Sequence, residues 1–260
     1  MSGGNVVHKT FLIAKYTFVE IFKSRVILNC FFLGLALILS VYVASEFTYG
    51  TPLKVALEFG FGMTSLSAIA ISIFLGTNLM SKEIENRTVY SILSRDVPRF
   101  SFYLGKFLGL AGIIALNILI LFSLTLGFYF FLGGEMNQLL LFAIYFCYLE
   151  ALILLAFVMG FSLITNSVLS VIFTVGVLFM GHAIPKASAF ILGKGGILEF
   201  LYKASTFLVP NLDLLNIKQH LIYKEFLSTE YLLRSTTYGH CYLLGIVMLS
   251  IFLFHKKSLD

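Results

Sequence analysis

Tryptophan is absent from this chain, and charged residues make up only 12% of its 260 positions. A soluble domain carries roughly a quarter charged residues. Hydrophobic residues reach 59%, and the mean hydropathy is +0.96. A chain so short of charge cannot keep its apolar surface in water, so an ordinary soluble domain is excluded. Without tryptophan, anchoring at a membrane interface falls to Tyr49, Tyr103, Tyr231 and Tyr238. The three cysteines, Cys30, Cys147 and Cys241, lie inside apolar runs, which argues against a disulfide framework and for small apolar packing residues.

Several chemistries are missing too. The phosphate-cradling pattern GxxxxGK[ST] does not occur. Gly105-Lys106 lacks the earlier glycine and the following Ser or Thr, and Gly193-Lys194 is followed by Gly195. The hydrolase patterns HExxH and GxSxG are absent, and the apolar runs hold no pair of acids, so a membrane-embedded hydrolase is the weakest reading. His8, His220, His240 and His255 show no metal-ligand spacing, so no metal site is expected. The basic residues are dispersed, without the aromatic interleaving of a nucleic-acid surface. The chain is expected to be neither an enzyme nor a nucleic-acid binder.

What is present is a series of six apolar stretches, each long enough to cross a bilayer. A spanning helix needs about 20 mostly apolar residues. The stretches run from Val26 to Ser45, Phe59 to Leu79, Leu104 to Leu132, Leu139 to Leu163, Val168 to Ile184 and Tyr231 to Phe254. Long unbroken runs exclude a β-barrel, whose strands alternate. Thr165-Asn166-Ser167 alone separates the fourth and fifth, which predicts a tight helical hairpin; the fifth is expected to end at Pro185. The fold expected is a single all-α transmembrane domain over residues 1–260, without internal repeats or a second soluble domain.

Lys and Arg set the orientation. Lys9, Lys15, Lys23 and Arg25 precede the first span; Lys82, Arg87, Arg95 and Arg99 lie between the second and third; Lys256 and Lys257 follow the sixth. The other short loops hold only Lys54, so both termini are expected in the cytoplasm. Residues 185–230 then lie outside despite Lys186, Lys194, Lys203, Lys218 and Lys224, because long loops obey the rule poorly. Two helical pieces are expected there, one around Leu198 to Leu208 and one from Asn211 to Phe226, lying on the outer surface. The expected location is the cell membrane, specifically a bacterial inner membrane.

Two cytoplasmic segments are distinctive. In residues 1–25, Val7, Phe11, Ala14, Phe18, Ile21 and Phe22 recur at steps of three and four, with Lys9, Glu20 and Lys23 opposite. This is the pattern of an amphipathic helix lying in the membrane interface, in contact with lipid. Residues 80–103 hold the charged run SKEIENRTVYSILSRDVPRFSFY, with a short helix expected from Arg87 to Leu93 and a break at Asp96-Val97-Pro98.

The second segment resembles the loop between spans two and three of permease subunits of the ABC type-2 transporter family. The family shows an acidic stretch, an Arg/Lys-Thr-hydrophobic run, a Leu-Ser-Lys/Arg-Pro-Val-x-Arg turn and then Leu-Gly-Lys. Here Glu83, Glu85, Arg87-Thr88-Val89, Leu93-Ser94-Arg95, Val97, Arg99 and Leu104-Gly105-Lys106 stand in that order. Asp96 replaces the family's proline, and a proline appears at Pro98 instead. Phe18 to Arg25, Gly181-His182 and Val209-Pro210-Asn211-Leu212 are similar to other family segments.

The resemblance implies a permease chain that couples ATP hydrolysis to translocation, with export as the expected direction. It implies a separate cytoplasmic ABC ATPase carrying ATP and Mg, a second permease copy or a paralogous one, and a coupling role for Glu83, Glu85, Arg87, Thr88, Arg95 and Arg99. The chain itself would then hold no cofactor.

Within the apolar runs, Glu150 is the sharpest feature. An ionised carboxylate at mid-membrane costs about 2.5–3.5 kcal/mol on insertion scales, so it must be paired, neutralised or turned to water or protein. The partners open to it from sequence are Asn117, Ser162, Thr165 and Glu150 of a second copy. It would serve either a translocation pathway or a helix-to-helix bond. Asn117 reads as a helix-helix hydrogen-bonding residue and His182 as a hydrogen-bonding group near the outer end of its span. Gly105 and Gly109 form a small-residue seam, within the subunit or across a dimer. An alternative function is a stand-alone ion- or proton-coupled transporter using Glu150, although paired repeat halves are not visible.

Overall fold

The computed structural model describes residues 3–23, 32, 34–37, 39–40, 42–44, 52–85, 97–191, 197–223 and 227–256. The described elements are helical: α1 (Gly3–Phe22), α2 (Pro52–Glu85), α3 (Arg99–Phe131), α4 (Gln138–Ile164), α5 (Ser167–Ile191), α6 (Ile197–Leu208), a 3₁₀ turn (Leu212–Leu215), α7 (Lys218–Ile222) and α8 (Thr229–Lys256). Five of them contain segments long and apolar enough to cross a membrane: Pro52–Ser81, Arg99–Phe131, Gln138–Ile164, Ser167–Ala187 and Thr229–Lys256. The protein is an all-α, multi-pass membrane protein. The expected first span, Val26 to Ser45, lies largely outside the described residues. Those described between 32 and 44 are helical, and Leu37 is buried with Ala56 beside Met63 of α2 and Phe128 of α3.

Helix α4 is the centre of the bundle. Every residue from Leu149 to Gly160 is buried. A helix apolar on all faces must be surrounded, and α2, α3, α5 and α8 pack around this one. Small residues permit close approach. Gly160 faces Ser250 of α8, Gly76 of α2 faces Val158 and Leu155, and Gly239 of α8 faces Leu149.

The short connections follow local chemistry. Asn137 caps α4 by accepting a hydrogen bond from the Leu139 amide at 3.1 Å. Gly133 closes α3 with φ of +85°, where a side chain would be strained. In the α4–α5 hairpin, Asn166 accepts from the Leu169 amide at 3.0 Å, and the Thr165 hydroxyl donates back to the Phe161 carbonyl at 2.9 Å. Pro98 stands in extended conformation just before α3, as expected for a helix start.

Some expectations are corrected. Helix α5 does not end at Pro185; it continues to Ile191 with the proline inside. Pro185 has no N–H, so it cannot bond the carbonyl of Gly181 one turn earlier. The outer segment after α6 does not form one surface helix. Its residues Leu212, Leu215, Ile217 and Leu221 are buried, so it folds inward as the 3₁₀ turn and α7. Tyr238 accepts a hydrogen bond from the Asn211 amide at 2.8 Å, and Tyr231 donates to the Leu214 carbonyl at 3.2 Å. These tyrosines therefore hold the inward segment, and Tyr103 is fully buried in the core. Tyr103 is therefore not the interfacial anchor expected of it, Tyr231 and Tyr238 are half-buried, and Tyr49 lies outside the described residues.

The small-residue seam of α3 is occupied by α1 within the same chain. A Cβ on Gly105 would stand 2.7 Å from Ile13, and one on Gly109 would stand 2.7 Å from Thr17 and 2.8 Å from the Ala14 carbonyl. The buried face of α1 is Ala14, Thr17 and Ile21, while Val7, Phe11 and Phe22 stay exposed. Gly109→Val is expected to push α1 off α3 and cost about 1–3 kcal/mol, as overpacking does. Thermal unfolding of the detergent-solubilised chain measures the cost. Accelerated proteolysis of residues 3–22 would locate it.

Candidate functional site

The hairpin α4–α5 builds the polar site. Glu150 and His182 stand sixteen residues either side of Asn166 in the hairpin turn. At 1.5 Å per residue, each is about 24 Å along its helix from that turn. They therefore meet at one level, and His182 Nε2 lies 2.9 Å from Glu150 Oε1. The Glu150 side chain is 8% exposed and that of His182 28%. Beyond the histidine, Nδ1 stands 4.0 Å from Asp213 Oδ1 on the 3₁₀ turn. Lys186 Nζ, one turn after His182 on α5, lies 3.3 Å from the same oxygen. Acid, imidazole, acid and ammonium thus alternate from the bundle interior outward. The outer pair, Asp213 and Lys186, is the more exposed and contributes little stability. The inner pair is the costly one to break, because a buried polar group left without its partner is penalised by about 1–3 kcal/mol, and more where it is charged.

The inward segment covers this site. Gly181 of α5 lies against it so closely that a Cβ there would stand 2.8 Å from Leu212 and 2.9 Å from the Pro210 carbonyl. A cavity of about 330 Å³ lies beside Glu150 and is lined by Ser65 and Ile69 of α2, Cys147 of α4, Leu178 and Phe179 of α5, and the stretch Leu215 to Lys218. A second cavity, of about 890 Å³, lies beside Leu221, Ile222 and Tyr223, with Lys54, Tyr129 and Glu135 in its walls. The segment from Leu212 to Tyr223 therefore has one cavity against its middle and one against its far end. Among the described residues, Asn216 Oδ1 is buried and accepts no hydrogen bond.

Of the partners anticipated for Glu150, those within this chain are bonded elsewhere. Asn117 accepts a hydrogen bond from the Ser67 hydroxyl at 3.1 Å, tying α3 to α2. Ser162 donates to the Val158 carbonyl at 2.7 Å, and Thr165 serves the hairpin turn. Their hydroxyls lie three and four turns along α4 from Glu150, too far to reach it. Lys186, Asp213, Asn216 and Lys218 were not singled out from sequence. The one available signal was Lys186, which stands four residues after His182 and so shares its helix face. Among the described residues, no group of three His, Cys, Asp or Glu side chains is arranged to hold a metal ion.

A second polar cluster lies at the opposite end of the bundle, around the charged segment between α2 and α3. Glu83, in the last turn of α2, forms an ion pair with Lys106 of α3. Burial pushes the Glu83 carboxyl above its usual range; Lys106 opposes this, and Glu20 of α1 adds to it. Arg99 opens α3 and donates from Nη1 to the carbonyls of Phe254 at 3.1 Å and His255 at 3.0 Å, in the last turn of α8. A cation suits a helix C-terminus, where carbonyls lack intrahelical partners. Glu85 belongs to α2 by its backbone. Arg87, Thr88 and Arg95 lie outside the described residues, as does the short helix expected from Arg87 to Leu93.

No protein-family model matches the chain, and no curated protein matches it.

The Glu150–His182 bond yields a directional test. His182→Leu strands the carboxylate and is expected to destabilise the bundle by about 3 kcal/mol or more. The double change Glu150→Leu with His182→Leu replaces both polar groups with apolar ones and should recover most of that loss. Thermal unfolding of the two variants in detergent compares them. A double variant as unstable as the single one would mean the pair is not bonded as described.

Proposed function

We propose that this chain is the membrane-spanning permease subunit of an ATP-driven transporter of the ABC type-2 class, acting as an exporter. A separate cytoplasmic ATPase binds ATP and Mg, and a second permease copy or a paralogue completes the pathway. In this reading the chain has six spans with both termini in the cytoplasm of a bacterial inner membrane. Residues 1–25 form an interfacial helix, 80–103 the coupling loop and 185–230 the outer loop.

One observation carries the reading: both ends of the charged inner segment are fastened to the bundle. Glu83 is paired with Lys106, and Arg99 is bonded to the end of α8. A force applied to residues 86–96 would reach α2, α3 and α8 together instead of flexing a loose loop. The family-like order from Glu83 to Lys106 supports it, and so does the absence of an ATP-cradling motif in the chain. The exposed bulky stripe of α1, with Val7, Phe11 and Phe22, suits contact with the bilayer interface.

A second reading is a stand-alone ion- or proton-coupled transporter working through Glu150. The alternation of Glu150, His182, Asp213 and Lys186 favours it, since intramembrane acids often mark ion pathways.

Purification of the full chain from its native cells under mild detergent separates the two. The permease reading expects a Walker-type ATPase at near-equal amounts. In that complex, Arg99→Ala and Glu83→Lys should leave the chain inserted while weakening ATPase association or uncoupling hydrolysis from transport by roughly tenfold, the effect of losing about 1.4 kcal/mol. Recovery of the chain without an ATPase favours the second reading. Normal association and coupling in both variants would remove the coupling role.

A further inference from the structure

We propose that the cavity beside Glu150 is a binding site for a small apolar molecule carrying both an ammonium and an anionic group. Its volume, about 330 Å³, is at the lower end of the range for small-molecule sites. Its walls are mainly apolar, from Ile69, Leu178, Phe179, Leu215 and Ile217, with a few polar groups among them. That mixture gives a ligand both affinity and orientation.

The polar groups decide the ligand's charge. A carboxylate has about four acceptor sites, and His182 occupies one on Glu150. The open acceptor sites on Glu150 call for a donor with several N–H groups, which an ammonium supplies. Lys218 lines the same cavity and, among the described residues, forms no ion pair. A simple cation would meet Lys218, and a simple anion would meet Glu150. A zwitterion can place each charge beside its opposite, with its apolar body against Ile69, Leu178 and Phe179.

Two sources share this chemistry. One is a free hydrophobic amino acid, and the other is the headgroup of a phosphatidylethanolamine reaching in from the bilayer. Phe179, which lines the cavity, is also exposed on the outer face of the bundle. That the ligand is transported cargo rests on the permease reading; that it binds does not.

Cys147 lines the cavity and reports its occupancy. The full chain with Cys30→Ser and Cys241→Ser is placed in nanodiscs of phosphatidylglycerol, and the rate of Cys147 labelling by N-ethylmaleimide is followed. Leucine is expected to slow labelling. Isoamylamine, which lacks the carboxylate, and isocaproate, which lacks the ammonium, should each bind roughly tenfold more weakly or worse. Glu150→Gln should remove the preference for leucine over isocaproate while leaving the detergent elution profile unchanged. If nanodiscs containing phosphatidylethanolamine protect Cys147 and leucine does not, the same chemistry is supplied by lipid. Where Cys147 does not react at all, saturation-transfer NMR with the same three probes and the same two nanodisc compositions takes its place. Equal binding of all three probes, binding of isocaproate alone, or no binding by leucine or phosphatidylethanolamine in either readout would overturn the proposal. None of these readouts needs an ATPase, so a failure here is distinct from a failure to recover one.

Discussion

A carboxylate at the level of Glu150 constrains everything packed around it. Helix α4 is buried on every face there, so the acid cannot turn to lipid or to bulk water. Its partner must come from a neighbouring helix at the same depth, and α5 supplies His182. The histidine in turn places Asp213 and Lys186 in a line running outward. The inward fold of the outer segment follows the same logic. A 3₁₀ turn bearing Asp213 is brought over His182, and its apolar residues Leu212 and Leu215 fill the space between helices. Gly181 makes that approach possible, because any side chain there would collide with Leu212. Pro185, one turn on, leaves the Gly181 carbonyl without its usual backbone partner where the segment seats.

The two ends of the bundle do different work. At one end, fixed contacts surround the charged inner segment: Glu83 with Lys106, Arg99 with α8, and α1 seated along α3 at Gly105 and Gly109. These contacts tie α1, α2, α3 and α8 to one another. Toward the other end, two cavities flank a short buried segment held by Tyr231 and Tyr238. The permease proposed above would need a stiff element to receive work and a yielding one to pass cargo, and these contacts and cavities suit those two roles. The membrane supplies no hydrophobic drive between helices, so small residues and buried hydrogen bonds such as Ser67 to Asn117 carry the specificity of packing.

How far the sequence reveals this differs from element to element. The apolar runs are legible because lipid demands length and apolarity, and the Thr165-Asn166-Ser167 hairpin is legible because so short a link leaves no other geometry. Glu150 stands out as a polar residue in an apolar run. Its partner does not, since that depends on the register of α4 against α5; yet the equal spacing of Glu150 and His182 about Asn166 contained the answer. Asp213 and Asn216 were hidden because nothing local distinguishes a surface helix from a segment drawn inward. The stripe of α1 was readable as apolar. Which side of it would be buried was not, because the glycines of α3 select Ala14 and Thr17 over the bulkier Val7 and Phe11. Lys106 and Glu83 read as separate charges, although they are partners across a helix pair.

The seating of the outer segment over the Glu150 site is the claim on which the rest stands. It is tested most directly by a cysteine pair, Gly181→Cys with Leu212→Cys, in a chain whose native cysteines are serine. A disulfide needs Cβ atoms about 3.5–4.5 Å apart. A Cβ on Gly181 would lie 2.8 Å from Cγ and Cδ1 of Leu212, atoms that Leu212→Cys removes or replaces with sulfur, so mild oxidation in membranes should link the pair. Persistently free thiols under oxidation, in a chain that inserts normally, would contradict the inward fold and with it the covered site.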